Sequence, residues 1–213
     1  MSIDIEQVNQ QLREASPAEI VEWAIGLGRR VVATTSFSPN SAALLHVVSQ
    51  VAPDLPVIWV DSGYNVPDAY IAAEEIMQRL RLNMQIYAPA VTAERRNAAK
   101  GGIPHPDDDA EAYAEFVREV KLEPFERALA DLRPEVWITG IRREETEYRK
   151  TLDIVSVDNR GLLRVAPLFY WTEQDVQAYV EQHQLPSCKH YFDPTKLDAR
   201  SECGLHTSSF TAA

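Results

Sequence analysis

Short apolar runs alternate with segments of helical periodicity along most of this chain. Residues 30–35 and 57–60 are runs of mostly β-branched or fully apolar side chains, whereas residues 20–27 carry their apolar side chains at the spacing of a helix face. Strands that are apolar throughout, and that alternate with helices, are typical of a parallel sheet covered on both faces. The pattern therefore predicts an α/β fold.

The same pattern sets the order of the predicted elements. Helices are expected over 1–29 (one or two), 42–51, 67–81, 123–132 and 172–184, strands over 30–35, 57–60, 83–88 and 135–139, and a hairpin over 153–166. Ser16, Pro17 and Glu19 form the signature of a helix start, and Thr172 is the expected N-cap of the last helix. Residues 100–112 predict a mobile acidic loop. We expect an α/β domain over 1–184 and a mobile C-terminal tail over 185–213.

Composition excludes several classes of protein. The 213 residues carry a formal net charge of −11, which argues against duplex DNA, nucleic acid in general or an anionic membrane as the main partner, because these reward a basic surface. No apolar stretch approaches the length of a membrane span, and no basic-then-apolar leader is seen, so a cytoplasmic location is expected. The two cysteines, Cys188 and Cys203, exclude a disulfide scaffold and any metal or cluster site built from four thiolates.

A hydroxyl-rich loop follows the first predicted strand. Loops that lead from a strand end into a helix N-terminus offer free N–H groups to phosphate. Taken alone, however, an ordinary turn with a serine cap explains the segment better, since it matches neither a P-loop nor a dinucleotide fingerprint. The candidate ligand-binding residues of this loop are Thr35, Ser36, Phe37, Ser38, Asn40 and Ser41.

Two further strand ends carry candidate chemistry. Asp61, followed by Ser62 and Gly63, can accept hydrogen bonds from a sugar or an adenine amino group, or simply cap the next helix. The second segment holds Gly140, Arg142 and Arg143, with Arg149 a few residues on. Arginines at a strand end can grip phosphate or sulfate, although a solvated charge run paired with neighbouring glutamates is the alternative.

A cysteine lies in the polar C-terminal segment. Arg200 and His206 would favour the thiolate of Cys203, the reactive form, whereas Glu202 would oppose it. Without further context, a stray thiol explains this cysteine equally well.

Taken together, these segments resemble the sulfonucleotide reductase family, the 3′-phosphoadenylylsulfate (PAPS) and adenylylsulfate (APS) reductases. The most specific match is the family's C-terminal catalytic signature, Glu202-Cys203-Gly204-Leu205-His206. The supporting matches occur in the family's order, over roughly residues 20–206: Ser36-Phe37, Asp61-Ser62-Gly63-Tyr64, Lys121-Leu122-Glu123-Pro124 and Gly140-Ile141-Arg142-Arg143-Glu144.

The resemblance implies both a fold and a reaction. The fold would be like that of adenine nucleotide α-hydrolases, with a mostly parallel sheet of five or six strands. Cys203 would attack the sulfonate sulfur and form an S-sulfonate, from which thioredoxin or glutaredoxin releases sulfite. The loop at 36–41 would hold the phosphates, and Arg200 would lie beside the cysteine. The anionic charge would be neutralised by Lys121, Arg142, Arg143 and Arg149.

The cysteine count bears on the substrate. Bacterial APS reductases carry an iron–sulfur cluster, and with Cys203 committed to catalysis this chain has only Cys188 left, so no bound cofactor is expected and PAPS is the first choice. A homodimer and a role in sulfate assimilation are implied by resemblance alone. Three alternatives stay open: an APS reductase without a cluster, a nucleotidyltransferase or ATP-pyrophosphatase of the same fold, and a non-catalytic nucleotide-binding protein.

The chain also departs from the family pattern. Ser38, followed by Pro39, stands where the family has glycine, and the segment 185–201 is shorter than usual. Part of the nucleotide surface is therefore missing or is supplied by Lys189, His190 and Lys196. Cys188 is either a resolving thiol or, more simply, an inert loop cysteine.

Overall fold

The central sheet follows the predicted strands closely. The computed structural model describes residues 3–196 and Leu205. Within that part of the chain, six strands form one sheet in the order β3-β2-β1-β4-β6-β5, with only β5 antiparallel to its neighbour. The strands are β1 (Val31–Thr35), β2 (Pro56–Val60), β3 (Asn83–Tyr87), β4 (Val136–Ile138), β5 (Val155–Val157) and β6 (Leu163–Val165).

Helices connect the strands and cover the sheet. Ser16 forms the predicted capping box with Glu19, and Thr172 is the N-cap of the last helix as predicted; its box with Asp175 is an addition that the structure shows. The α-helices are α1 (Ile5–Leu12), α2 (Pro17–Gly26), α3 (Ser41–Val51), α4 (Pro67–Leu80), α5 (Ala93–Lys100), α6 (Ala110–Val117), α7 (Glu123–Leu132) and α8 (Glu173–Gln182). In the described residues, no helix combines the length and apolar character that a bilayer crossing requires.

Both faces are buried along the central strands β1, β2 and β4, which explains why these are mostly apolar, whereas the edge strand β3 is partly exposed and carries polar side chains. Val32 and Trp137 pack with Phe125 and Ala128 of α7 on one face. Their neighbours along the strands, among them Ala33, belong to the larger cluster that includes α2 and α3 on the other face. Because successive side chains of a strand point to opposite faces, each central strand contributes side chains to both apolar clusters.

The chain reverses its direction of winding at β1. It moves from β1 outward to β2 and β3, then crosses back so that β4 pairs with the other side of β1, where Ala33 lies between Val57 and Ile138. The loops that follow β1 and β4 therefore diverge and leave a crevice beyond the carboxyl ends of the strands, where open α/β sheets bind ligands.

The prediction of a loop over 100–112 is wrong at both ends. Lys100 ends α5, and α6 begins at Ala110 because the Asp109 carboxylate caps it by accepting the Ala112 N–H at 2.9 Å. Tyr113, Phe116, Val117 and Val120 then form a buried apolar cluster at helical spacing. A π-helical turn, Arg118–Leu122, joins α6 to α7.

Candidate active site

A cleft of about 740 Å³ lies beyond the carboxyl ends of β1, β2 and β4. It gathers loops that are far apart in the sequence and that each follow one of these strands, together with the segment 191–196. Of the predicted site residues in the described part of the chain, those that line the cleft are Thr35, Ser36, Ser38, Asn40, Ser41, Ser62, Lys121, Gly140, Arg142 and Arg149.

The loop between β1 and α3 forms the uncharged side of the cleft. The Thr35 hydroxyl accepts the Phe37 N–H at 3.1 Å, and the hydroxyls of Ser38 and Ser41 are 3.0 Å apart. Asn40 occupies the N-cap position of α3, but its side chain makes no capping bond and instead donates to the Glu173 carboxylate at 2.7 Å. Oxygen donors and the positive end of α3 thus face the cleft without an acidic cap, as an anion site requires.

Phe37 lies beneath this loop and anchors it. Its ring is 1 % exposed and packs edge-on against Trp59, with the ring centroids 4.9 Å apart. Its backbone has φ +49°, in the left-handed region that costs a residue with a large side chain free energy. Phe37 does not line the cleft; burial of its ring holds the loop in this strained conformation.

Arg142 and Arg149 form the basic side of the cleft, and both are buried. The two guanidinium arms of Arg142 donate to Glu144 at 2.7 Å and to Glu173 at 2.6 Å. Arg149 pairs with Glu145. Because a buried charge needs a counter-charge, these glutamates keep both arginines ordered within the fold.

Lys121, in the π-helical turn, is a third cationic side chain that lines the cleft. Its ammonium donates to Asp193 at 2.6 Å and to the Thr195 hydroxyl at 2.9 Å, so that the segment 191–196 closes one wall of the cleft. Burial opposes ionisation of Asp193, but the charge and hydrogen bond of Lys121 outweigh it and hold the pKa of that carboxyl below its usual value. Asp193 is therefore ionised and serves as the counter-ion of Lys121.

Besides Phe37, three predicted residues lie outside the cleft lining, namely Asp61, Gly63 and Arg143. The Arg143 N–H donates to the Phe169 carbonyl at 2.8 Å, and its guanidinium lies over the Tyr170 ring, so the two adjacent arginines face different surroundings. The Asp61 carboxylate accepts the Gly63 N–H at 3.0 Å and the Tyr70 hydroxyl at 2.7 Å.

Asp61 and Gly63 thus shape the turn that leads towards α4. Gly63 has φ +78°, which suits glycine, and Asp61 is not the cap of α4, because Val66 holds that position. Burial, followed by the hydrogen bond to Asp61, raises the pKa of Tyr70 to about 12.

The C-terminal signature is described at one position. Cys203, His206 and Arg200 lie outside the described residues. Leu205 lines the cleft and packs against the cluster around Phe125, and its carbonyl accepts the Arg160 guanidinium at 3.4 Å. Arg160, in the turn between β5 and β6, thus contacts Leu205 of the signature.

Sequence reasoning missed the acidic members of the site. Glu145, Glu173 and Asp193 all line the cleft, together with the uncharged Thr195. Lys196, which the sequence analysis named as an alternative source of the nucleotide surface, lines it as well. No sequence signal marks Asp193 as the partner of Lys121, since the pair is separated by 72 positions. The backbone N–H groups of Lys189 and His190 instead bond to the Asp68 carboxylate, outside the cleft lining.

Cys188 is buried with its thiol 3.5 Å from the Phe37 carbonyl. Burial, and then the charge of Asp68, raises the pKa of the Cys188 thiol, which disfavours the reactive thiolate. Within residues 3–196 and Leu205, no group of three or more His, Cys, Asp or Glu side chains is arranged to hold a metal ion.

The strand order and the position of the cleft define a class: an α/β protein with the fold of the adenine nucleotide α-hydrolases, and with a crevice at the point where the winding reverses. The particular family follows from sequence comparison. The model of the phosphoadenosine phosphosulfate reductase domain matches residues 30–194. The chain belongs to this family.

Curated relatives agree with this assignment. A phosphoadenosine 5′-phosphosulfate reductase of Synechococcus sp. is 34% identical over 181 residues, covering 84% of this chain and 77% of the relative. A protein of the same name from Alkalilimnicola ehrlichii is 35% identical over 186 residues, covering 86% of this chain and 74% of the relative.

Solved structures share the fold. The crystal structure of phosphoadenylyl-sulfate (PAPS) reductase from Candida auris in a phosphate complex superposes with a TM-score of 0.76 at 22% identity, covering 89% of this chain and 91% of that one. FMN adenylyltransferase of Candida glabrata is more distant, with a TM-score of 0.54 at 15% identity, covering 75% of this chain and 50% of that one. The six-stranded, mostly parallel sheet flanked by helices is thus confirmed as the architecture.

Proposed function

We propose that this protein reduces PAPS to sulfite and adenosine 3′,5′-bisphosphate, with Cys203 as the nucleophile and thioredoxin or glutaredoxin as the reductant. One observation carries the proposal. Lys121, Arg142 and Arg149 line the same cleft as the hydroxyl-rich loop before α3, and Leu205, two residues from Cys203, lines it too. The names of the relatives point to the same substrate.

The first step forms a bond between sulfur atoms. The Cys203 thiolate attacks the sulfonate sulfur, and the bond from that sulfur to the bridging phosphate oxygen breaks. The electron pair leaves with the phosphate, and the products are adenosine 3′,5′-bisphosphate and Cys203 S-sulfonate.

The second step reduces the sulfur. One thiolate of the reductant attacks Sγ of Cys203, and sulfite leaves with the electron pair of the bond between the two sulfur atoms. The second thiol of the reductant then displaces Cys203. The dithiol becomes a disulfide, its two protons are released, and Cys203 is regenerated as a thiolate. This cycle needs a compartment that keeps thiols reduced, so we place the protein in the cytoplasm.

The chain's own residues would supply charge neutralisation and approach. PAPS is anionic around the sulfur that must be attacked, so a thiolate can approach only after that charge is offset. Lys121, Arg142 and Arg149 are the cations that line the cleft in the described residues, together with Lys196. Serine hydroxyls and the N-terminus of α3 would hold the phosphates on the opposite side.

The position of Leu205 supports Cys203 as the nucleophile. Leu205 is tied to the sheet by apolar packing and by Arg160. Leu205 is two residues from Cys203 in the sequence, and this is the observation that favours a role of the cysteine in this cleft.

Intact mass after incubation of the reduced protein with PAPS, or separately with APS, tests the proposal. With no reductant present, PAPS should add one sulfonate group, and the adduct should be lost in Cys203→Ser but kept in Cys188→Ser, the matched control. An adduct with APS alone would show that the substrate is APS and not PAPS. If neither nucleotide gives an adduct although both bind, the reaction itself is refuted.

A further inference from the structure

The hydroxyl of Tyr113 on α6 is buried without a partner. Tyr113 is 8% exposed, and its hydroxyl makes no hydrogen bond within the described part of the chain. A buried hydroxyl without a partner is uncommon, because it has given up its bonds to water. A second state of the protein, in which the hydroxyl has a hydrogen-bond partner, would explain this arrangement.

The surroundings of Tyr113 point to what that state involves. Tyr113 belongs to a buried cluster whose other members are apolar, namely Phe116, Val117 and Val120. The charged groups near it are Asp193 and Lys121. Burial, and then the negative charge of Asp193, raises the pKa of Tyr113, so that its hydroxyl stays protonated and able to donate.

Asp193 depends on Lys121 in the described structure. The Asp193 side chain is 8% exposed, and its Oδ2 accepts the Lys121 ammonium at 2.6 Å. The other oxygen, Oδ1, accepts the backbone N–H of Thr195 at 3.0 Å and its hydroxyl at 2.6 Å. Oδ2 would therefore lose its strongest donor if Lys121 turned towards another anion, and a buried carboxylate without a partner is costly.

We propose that Tyr113 is a positioning residue that donates its hydroxyl to the Asp193 carboxylate when Lys121 turns to the anionic substrate. This inference rests on the proposed function, which requires Lys121 to meet an anion. The exchange moves no covalent bond. It allows Asp193 to stay in place and the wall of the cleft to stay closed, because a donor replaces the one that leaves.

Tyr113→Phe tests the inference because it removes only one oxygen atom. Affinity for PAPS is measured by calorimetry in Cys203→Ser protein, which cannot form the adduct. A hydrogen bond to a charged group corresponds to a factor of about 10 to 100 in an equilibrium constant, so we expect Tyr113→Phe to weaken PAPS binding by about tenfold. Thermal unfolding without ligand should be unchanged or shifted to higher temperature, since the lost hydroxyl had no partner there.

Opposite movements of stability and affinity distinguish this role from a structural one, which would lower both. Tyr87→Phe is the matched control, because the Tyr87 hydroxyl is bonded to Asp131 at 3.2 Å on the exposed strand β3 and its loss should leave PAPS binding unchanged. In an Asp193→Ala background, Tyr113→Phe should have no further effect on affinity.

Each other outcome has a defined meaning. If Cys203→Ser protein binds PAPS and Tyr113→Phe binds it equally well, the inference is overturned while the proposed function stands. If the loss of affinity is equal with and without Asp193, the hydroxyl does not act through that carboxylate and the inference is again overturned. If Cys203→Ser protein does not bind PAPS at all, the proposed function fails first.

Discussion

The two sides of the cleft are held in place by different kinds of interaction. The loop after β1 is fixed by a buried aromatic ring and by bonds among uncharged groups, such as Thr35 to the Phe37 N–H. The loop after β4 is fixed by ion pairs, with Arg142 shared between Glu144 and Glu173. The loops follow adjacent parallel strands, yet one is built from packing and the other from charge.

The two sides therefore differ in how an anionic ligand would meet them: the uncharged loop offers free donors, whereas the cations already hold carboxylate partners. The loop before α3 presents hydroxyls and a helix N-terminus, and nothing acidic caps it. Lys121, Arg142 and Arg149 are already paired with carboxylates. An anionic ligand that binds Arg142 or Lys121 would have to displace Glu173 or Asp193, so its net gain would be smaller than the number of cations implies.

The largest expected effect comes from removing the aromatic anchor. Phe37→Ala leaves a cavity beneath the loop and should lower the free energy of unfolding by about 3–5 kcal/mol. Phe37→Leu keeps most of the volume and should cost clearly less. Urea unfolding of both variants checks this, and equal, small losses would show that the ring does not anchor the loop.

Removal of one cation on the charged side should mainly affect the reaction. Arg142→Gln takes away a buried guanidinium that lines the cleft, so kcat/KM for PAPS should fall by about 100- to 1000-fold. Arg143→Gln makes the same change one residue away, outside the cleft lining, and should cause a far smaller loss. Steady-state sulfite release compares the two, and equal losses would contradict the separation of the two arginines.

A smaller effect is expected when the internal competitor is neutralised. Glu173→Gln removes one carboxylate from Arg142 and should tighten PAPS binding by about two- to fivefold, since the Glu173 side chain is half exposed and such pairs are weak. Glu181→Gln changes the charge of the same helix, α8, equally but outside the cleft lining. Calorimetry on both variants measures the difference, and weaker binding in Glu173→Gln would mean that Glu173 does not compete with the ligand.

The same contrast explains how much of the site could be predicted. The uncharged side follows from local sequence: an apolar strand, a polar loop and a helix start, with the family motifs at the strand ends. Local sequence also predicted the helix over 123–132, which is α7, the capping box of α2 and the N-cap Thr172 of α8. Helix α5 was missed because it is polar on almost every face, and α6 because its acidic start hid the spacing of Tyr113, Phe116 and Val117.

The charged side depends on contacts between distant parts of the chain. Glu173 meets Asn40 across 133 positions, and Asp193 meets Lys121 across 72. Nothing local in the sequence marks an acid as the partner of a particular cation. The divergence of Arg142 and Arg143 likewise becomes visible only once β4 and the following turn are placed against α8.

The two sides of the cleft meet where α3 packs against α8, and this contact predicts the smallest effect. His46 of α3 is 2.8 Å from the Tyr179 hydroxyl, and its ring lies 4.6 Å from that of His183. Burial, then the charges of His183 and Arg79, lowers the pKa of His46 below its ordinary value of 6.5. The folded state therefore binds the His46 proton less readily than the unfolded state does.

The sign of the pH dependence follows from this difference. The unfolded chain binds more protons at His46 between the lowered pKa and 6.5, so the contribution of His46 to stability is complete above 6.5 and is lost as the pH falls. His46→Phe should flatten the rise of melting temperature between about pH 5 and 7. His105→Gln, at an exposed position, is the control and should leave that slope in place. An unchanged slope in His46→Phe would show that the contact between α3 and α8 does not respond to this proton. The packed and charged sides of the cleft would then be joined by a contact insensitive to pH.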